Sequence, residues 1–271
     1  FQDGTPERDA FTALLKERFP AEFKKIRFPA TAGISIKPVS REGTERLVRA
    51  AITYALKNRR RRVTLVHKGN IMKYTEGAFR QWGYELARQE FPGQVYTQLQ
   101  WEETRRQQGD EAASLEREQA LQQGKLYLND IITDAAFERT LTCPEEFDVL
   151  ATTNLNGDYL SDALAAQVGG IGIAPGANIN FESGAAIFEA THGTAPTIAG
   201  KDIANPCSLM LSGAMLLSYL GWKEAAVLLE TALQTTLQKG IFTADLKPES
   251  SPHLPVSTSA FTEAVIQHLT Q

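Results

Sequence analysis

Two short apolar runs, Val63-Thr64-Leu65-Val66 and Asp148-Val149-Leu150-Ala151-Thr152, are each followed by a helical pattern. This alternation constrains the fold more than any other feature. Strands separated by helices pair in parallel, because a parallel partner needs a long crossover. The pattern predicts an α/β fold with a mostly parallel sheet. Helices are expected over Arg41–Lys57, with Leu47, Ala50, Ala51, Tyr54 and Ala55 on the packed side, and over Thr75–Gln89, with a Phe79, Trp82 and Leu86 stripe. A further helix is expected from Asp158. In such sheets ligands gather beyond the carboxyl ends of the strands. Both runs end there in polar, glycine-bearing turns, His67-Lys68-Gly69-Asn70 and Asn154-Leu155-Asn156-Gly157-Asp158.

The flanking regions differ. Thr5-Pro6 is a cap followed by proline at the first helical position, and Phe11, Leu14, Leu15 and Phe19 repeat at helical spacing. Ile26-Arg27-Phe28 and Gly33–Pro38 alternate and are predicted strands. Residues 93–127 are polar and charged and predict a solvated, partly helical excursion outside the core. The run Gly169–Gly176 superficially resembles a dinucleotide fingerprint but lacks a following strand–helix unit. Helices are expected over Pro206–Leu220, Lys223–Lys239 and Ala260–Leu269. The first of these overlaps an apolar stretch from Cys207 to Trp222, too interrupted for a membrane span and predicted to be a buried helix.

Charge and cysteine usage narrow the function classes. A net charge of −4 supplies no basic field for nucleic acid or an anionic membrane. Arg59-Arg60-Arg61-Arg62 lies between a helix end and a strand, with no interleaved aromatics, and suits the helix dipole better than nucleic acid. Cys143 and Cys207 have no metal or disulfide spacing, and no signal peptide is visible. A cytoplasmic location is expected.

Three clusters carry candidate chemistry. Asp158 and Asp162 lie four apart on one helix face, a pair suited to a hard divalent cation, although the spacing alone is more often that of ordinary helix-start acids. Lys68, at a strand's carboxyl end beside a glycine, is placed to meet substrate and to accept a proton near a metal; it could also be a plain surface lysine. The small residues of His192-Gly193-Thr194-Ala195-Pro196 leave backbone N–H groups free for phosphate oxygens, though they equally suit a structural loop.

Taken together these segments are far more specific. Leu65-Val66-His67-Lys68-Gly69-Asn70-Ile71-Met72-Lys73-Tyr74-Thr75-Glu76-Gly77 resembles the lysine segment of bacterial isocitrate dehydrogenases. Asn154–Gln167 resembles their metal segment, while Phe188–Pro196 and Ile198–Pro206 resemble their adenosine loop. The resemblance covers nearly the whole chain except roughly residues 95–127, where this sequence is longer. It implies a homodimeric isocitrate/isopropylmalate dehydrogenase-like α/β fold. Residues 1–40 would be an intersubunit clasp, 41–168 the small domain, and 169–271 the C-terminal part of an incomplete large domain.

The resemblance also implies the chemistry. Mg²⁺ or Mn²⁺ would be held by Asp158 and Asp162 of one subunit and Asp134 of its neighbour. Lys68, also from the neighbour, would meet isocitrate and take its hydroxyl proton; Lys68, Asp134 and Asp158 are the implied catalytic residues, and Asn70 joins Lys68 at the substrate. His192, Gly193, Thr194, Ala195, Thr197, Ile198 and Asn205 would contact the cofactor. The family's substrate-binding serine, asparagine and arginines and its protonating tyrosine lie upstream and have no match, so the chain is expected to be a fragment with little activity unaided. NADP-dependent members carry Lys-Tyr where this chain has Thr197-Ile198, and Tyr and Arg where it has Ala244 and Pro248. Losing those phosphate donors favours NAD over NADP, with Lys247 the residue that speaks for NADP. The other readings are a homoisocitrate or isopropylmalate dehydrogenase and a non-catalytic dimerisation fragment.

Overall fold

Val63, Leu65 and Val66 are fully buried, as a strand covered on both faces requires. The computed structural model describes residues 1–269, so the predicted range 169–271 runs two residues beyond the description. In chain order the main elements are α1 (Pro6–Arg18), the single turn α2 (Pro20–Phe23), α3 (Arg41–Lys57), β1 (Arg62–His67), α4 (Glu76–Glu90) and β2 (Val95–Thr97). There follow α5 (Gln98–Gln108), α6 (Asp110–Gln122), β3 (Leu126–Ile132), α7 (Thr133–Thr142), β4 (Val149–Thr152) and α8 (Asn154–Val168). The last are β5 (Pro175–Ile179), β6 (Ala186–Ala190), α9 (Cys207–Tyr219), α10 (Lys223–Gln238) and α11 (Thr258–Leu269).

Strands β2-β3-β1-β4, in that order, form one parallel sheet, and β5 and β6 form a separate antiparallel pair. Alternation along β1 sends Val63 and Leu65 to one face, where Val48 and Ile52 of α3 and Phe79 and Leu86 of α4 close the core. Val66 on the other face packs with Ala136 of α7 and Leu160 of α8. The α4 approach is close: a Cβ on Gly83 would stand 2.7 Å from Leu65 Cδ1. A separate core joins Cys207 of α9, Ala232 and Leu233 of α10, and Phe261 and Val265 of α11. Both cysteines are free.

Several expectations change. The buried face of α3 is Thr44, Val48, Ile52 and Ala55, while Leu47 and Tyr54 face outward. The β-branched Val48 and Ile52, one turn apart, fill the space above the sheet that the alanine-rich stripe would have left open. Residues 93–127 are an ordered α5–α6 hairpin with β2, the sheet's edge strand, at its start. Its polar composition describes the outward faces alone: Val95, Tyr96, Ala113 and Ala120 are buried. Leu126–Ile132 is an interior strand that the sequence reading passed over.

No strand forms at 26–28 or 33–38. A strand needs a ladder partner, and among the described residues this segment's backbone meets only isolated bonds such as Ile34 N to Phe1 O (3.1 Å), leaving Phe28 and Ile36 exposed. Arg8 instead ties the segment down, donating to the Pro29 (2.9 Å) and Ala30 (2.7 Å) carbonyls. The α9 helix is buried on one side only. Ser208 and Ser212 bond the β5–β6 region, and Tyr219 reaches it too, donating to the Gly184 carbonyl (2.8 Å) and packing on Phe188, whereas Leu209 and Leu216 lie exposed. Among the described residues no helix is long and apolar enough to cross a membrane.

Candidate active site at the carboxyl edge of the sheet

In the parallel register His67 stands beside Ile132, and Val66 beside Thr152. The chain therefore leaves β1, β3 and β4 on one edge, and Lys68, Asp134 and the start of α8 emerge together. Lys68 Nζ donates to Asp134 Oδ1 in an ion pair. That bond holds the Asp134 carboxyl below the usual carboxylate range. Asn70 is exposed in the same turn.

The segment 154–158 is the first turn of α8 and not a loop, because the helix begins four residues earlier than predicted. Asp158 and Asp162 consequently sit one turn inside it, still on one face. Both are exposed, and their carboxylates have no hydrogen bond or ion pair among the described residues. Two free carboxylates one turn apart fit the hard-oxygen preference of Mg²⁺ or Mn²⁺. Among the described residues no three His, Cys, Asp or Glu side chains converge as a metal site. One copy of the chain thus offers a pair of free donors and, elsewhere on the edge, a third that is paired to a lysine.

Glu76 was missed as a functional residue. Its side chain is fully buried, and both oxygens are satisfied: Oε1 accepts from Lys37 Nζ (2.8 Å) and Thr153 Oγ1 (2.9 Å), Oε2 from Lys68 N (3.1 Å) and Asn156 Nδ2 (2.7 Å). Burial would raise its pKa, but the Lys37, Thr153 and Lys68 bonds outweigh burial and lower it. A single carboxylate so joins the 33–40 segment, the lysine turn and the aspartate helix. The sequence signal was an acid at a helix start beside the lysine segment.

Behind the lysine turn lies a second buried group. His67 is 3% exposed, and its Nε2 stands 3.0 Å from Asp130 Oδ2. Asp130 Oδ1 accepts from Tyr84 Oη (2.5 Å) and Arg80 Nε (2.9 Å). Burial pushes the Asp130 carboxyl up, but bonds from His67, Arg80 and Tyr84 pull it down to about 2. Burial, with the neighbouring Asp130 charge, raises Tyr84 and keeps it protonated. Because the folded pKa is depressed, the Asp130 contribution is full above the unfolded carboxyl range and lost as pH falls through about 2. Its size is about 2 kcal/mol. Urea midpoints measured between about pH 5 and pH 2 are expected to fall more steeply in the wild type than in Asp130→Asn. Equal slopes would remove this assignment. The signal in the sequence was a lone acid inside an apolar run, Leu126–Ile132.

The predicted cofactor residues lie apart from this edge in sequence, after β6. His192, Gly193, Thr194, Ala195 and Thr197 are exposed, and Ile198 is half-buried. Ala195 adopts a left-handed conformation (φ 43°, ψ 59°) that turns the loop into a short 3-10 turn, Pro196–Ile198. His192 Nδ1 lies 3.0 Å from the Gly193 carbonyl. Asn205 is 8% exposed; Oδ1 accepts from Cys207 N (2.9 Å) and Nδ2 donates to Asp245 Oδ2 (2.9 Å). It therefore satisfies the first N–H of α9 and ties the loop exit to the 243–248 segment. The Gly169–Gly176 run enters a 3-10 turn and β5, with no strand-to-helix turn of the dinucleotide type.

Known proteins show the family of the chain. Residues 18–265 match the isocitrate/isopropylmalate dehydrogenase family. The chain is 53% identical over 269 residues to the isocitrate dehydrogenase [NADP] of Staphylococcus aureus, covering 99% of this chain and 63% of that protein. The Streptococcus salivarius isocitrate dehydrogenase [NADP] is 53% identical over 242 residues, covering 89% and 54%. At 99% coverage the Staphylococcus match runs across residues 95–127. Among solved structures, isocitrate dehydrogenase from Methylococcus capsulatus superposes with a TM-score of 0.72 at 38% identity, over 89% of this chain and 60% of that one. The TT0538 protein of Thermus thermophilus gives 0.70 at 34%, over 88% and 41%. The chain thus spans under two thirds of the length of these proteins. With the motifs, the parallel sheet and the match over most of its length in agreement, the chain belongs to the isocitrate/isopropylmalate dehydrogenase family.

Proposed function

We propose that the protein containing this chain oxidises and decarboxylates isocitrate to 2-oxoglutarate, reducing a nicotinamide cofactor, as a homodimer with shared sites. The observation that carries this reading is the division of the site. Lys68 and Asp134 pair at the carboxyl edge, while Asp158 and Asp162 remain free on α8. The names of relatives 53% identical to the chain support the substrate. In this reading Asp158 and Asp162 hold Mg²⁺ or Mn²⁺ with Asp134 of a second copy. The cation, when bound, acidifies the substrate hydroxyl and offsets carboxylate charge. Lys68 Nζ accepts the hydroxyl proton, and Asn70 orients the substrate in the same turn. Residues 1–40 serve as clasp, 41–168 as small domain and 169–271 as part of the large domain.

His192, Gly193, Thr194, Ala195, Thr197 and Ile198 present the loop to the cofactor, and Asn205 fixes its exit. Thr197-Ile198, Ala244 and Pro248 lack the donors that grip a 2′-phosphate, which supports NAD. A second reading, NADP, is supported by the relatives' names and by Lys247. Initial rates of reduced-nicotinamide formation by the full-length protein, with isocitrate and Mg²⁺, decide between them. A higher kcat/KM with NAD is expected. A preference for NADP would overturn the NAD reading alone. Turnover of homoisocitrate or isopropylmalate without turnover of isocitrate would overturn the substrate, and no turnover of any would overturn the enzyme reading.

A further inference from the structure

The strongest unexplained feature is the buried His67–Asp130 pair directly behind Lys68. Gly69 N–H donates to His67 Nδ1 at 3.0 Å, so that nitrogen must keep its lone pair. The ring proton is then on Nε2, aimed at Asp130 Oδ2 at 3.0 Å. Asp130 cannot rotate away, because Tyr84 and Arg80 both hold its Oδ1. The turn cannot relax either. A Cβ on Gly69 would stand 2.8 Å from Gly77 Cα and 3.0 Å from His67 Nδ1, so the turn lies flat against the start of α4. Lys68 is thereby pinned on both sides: its own N–H goes to Glu76, and the next N–H goes to the imidazole.

We propose that Asp130 is a tautomer lock: it holds His67 as the neutral Nε2–H form, and through the Nδ1 bond to Gly69 this sets the aim of Lys68. Asp130 and His67 are then positioning residues, and the lock serves turnover only if Lys68 acts as proposed above. The chemistry is specific to a carboxylate. In Asp130→Asn the amide carbonyl takes the Oδ1 place, facing Tyr84 and Arg80, and the NH₂ takes the Oδ2 place. It then donates to His67 Nε2 and drives the proton to Nδ1, where N–H faces N–H at Gly69.

Ring ¹⁵N NMR of the full-length protein reads this directly, with the His67 signals assigned as those missing from the His67→Asn spectrum. His67 is expected as the neutral Nε2–H form in the wild type and as Nδ1–H in Asp130→Asn. The variant's kcat is expected to fall roughly 10-fold to 100-fold, the range typical of outer hydrogen-bond partners, with KM for the cofactor unchanged. His67→Asn, whose amide oxygen can replace Nδ1 as acceptor, should keep more activity than His67→Leu. Placed in the Asp130→Asn background, it should restore the lost rate. A wild-type His67 seen as Nδ1–H or as imidazolium overturns the proposal whatever the variants do. So does a double variant no faster than Asp130→Asn. If Lys68→Met keeps full activity while the tautomer result holds, the assigned role of Lys68 fails and the lock stands as a structural fact.

Discussion

Lys68→Met is expected to lower kcat by a factor of about 10² to 10⁴, the usual contribution of a positioned proton acceptor. Methionine keeps much of the side chain's length and apolar stem but has no amine to receive the hydroxyl proton. The fold should not suffer. The Lys68 side chain is one-third exposed and its partner Asp134 two-thirds exposed, so the pair contributes no more than about 1 kcal/mol to stability. The two readouts are therefore separable: kcat from initial rates and thermal midpoint from circular dichroism. A large loss of kcat with an unchanged midpoint supports the role. A kcat within a few-fold of wild type would remove Lys68 from the chemistry.

Glu76→Leu is expected to cost about 3–5 kcal/mol of stability, the typical penalty for breaking a buried ion pair by removing one partner. Leucine would leave Lys37 Nζ, Lys68 N, Thr153 Oγ1 and Asn156 Nδ2 facing an apolar group. Ordinary domains have only about 5–15 kcal/mol in total, so about a fifth or more of the margin is at stake. Since the Glu76 pKa is lowered on folding, its contribution is present above the ordinary carboxylate range and is lost as pH falls below it. The difference in urea midpoint between wild type and Glu76→Leu should accordingly be largest near neutral pH and shrink in acid. A pH-independent difference would point to shape alone, and a loss under about 1 kcal/mol would mean the four donors find other partners.

Much of this protein was legible along the chain because it depends on neighbours in sequence. Arg41–Lys57 declares itself by helical period, and the structure places α3 over those residues. Val63–Val66 needed only its apolar run. Lys68, Asp134, Asp158 and Asp162 belong to long contiguous segments, and resemblance could be read from them without knowing what touches what. Polar composition misled at 93–127, since the buried alanines and the short β2 occupy one face that an average over the segment conceals.

Contacts distant in sequence were beyond that reach. Asp130 was a lone acid in an apolar run with no visible partner until β3 paired with β1 and brought it beside His67, 63 residues away. Glu76 gathers donors from Lys37, 39 residues before it, and from Asn156, 80 residues after it. The absent strands at 26–28 and 33–38 teach the same lesson, because alternation supplies two faces but a strand also needs an edge to pair with. The sequence by itself determined helices α1, α3, α4, α9, α10 and α11, strands β1 and β4, the family and the identities of the charged groups at the sheet edge, all properties of local period or contiguous motif. Tertiary structure alone decided which side of each helix is buried, where α8 begins and which buried carboxylates hold the lysine turn, because burial and hydrogen-bond partners are fixed by packing and not by spacing along the chain.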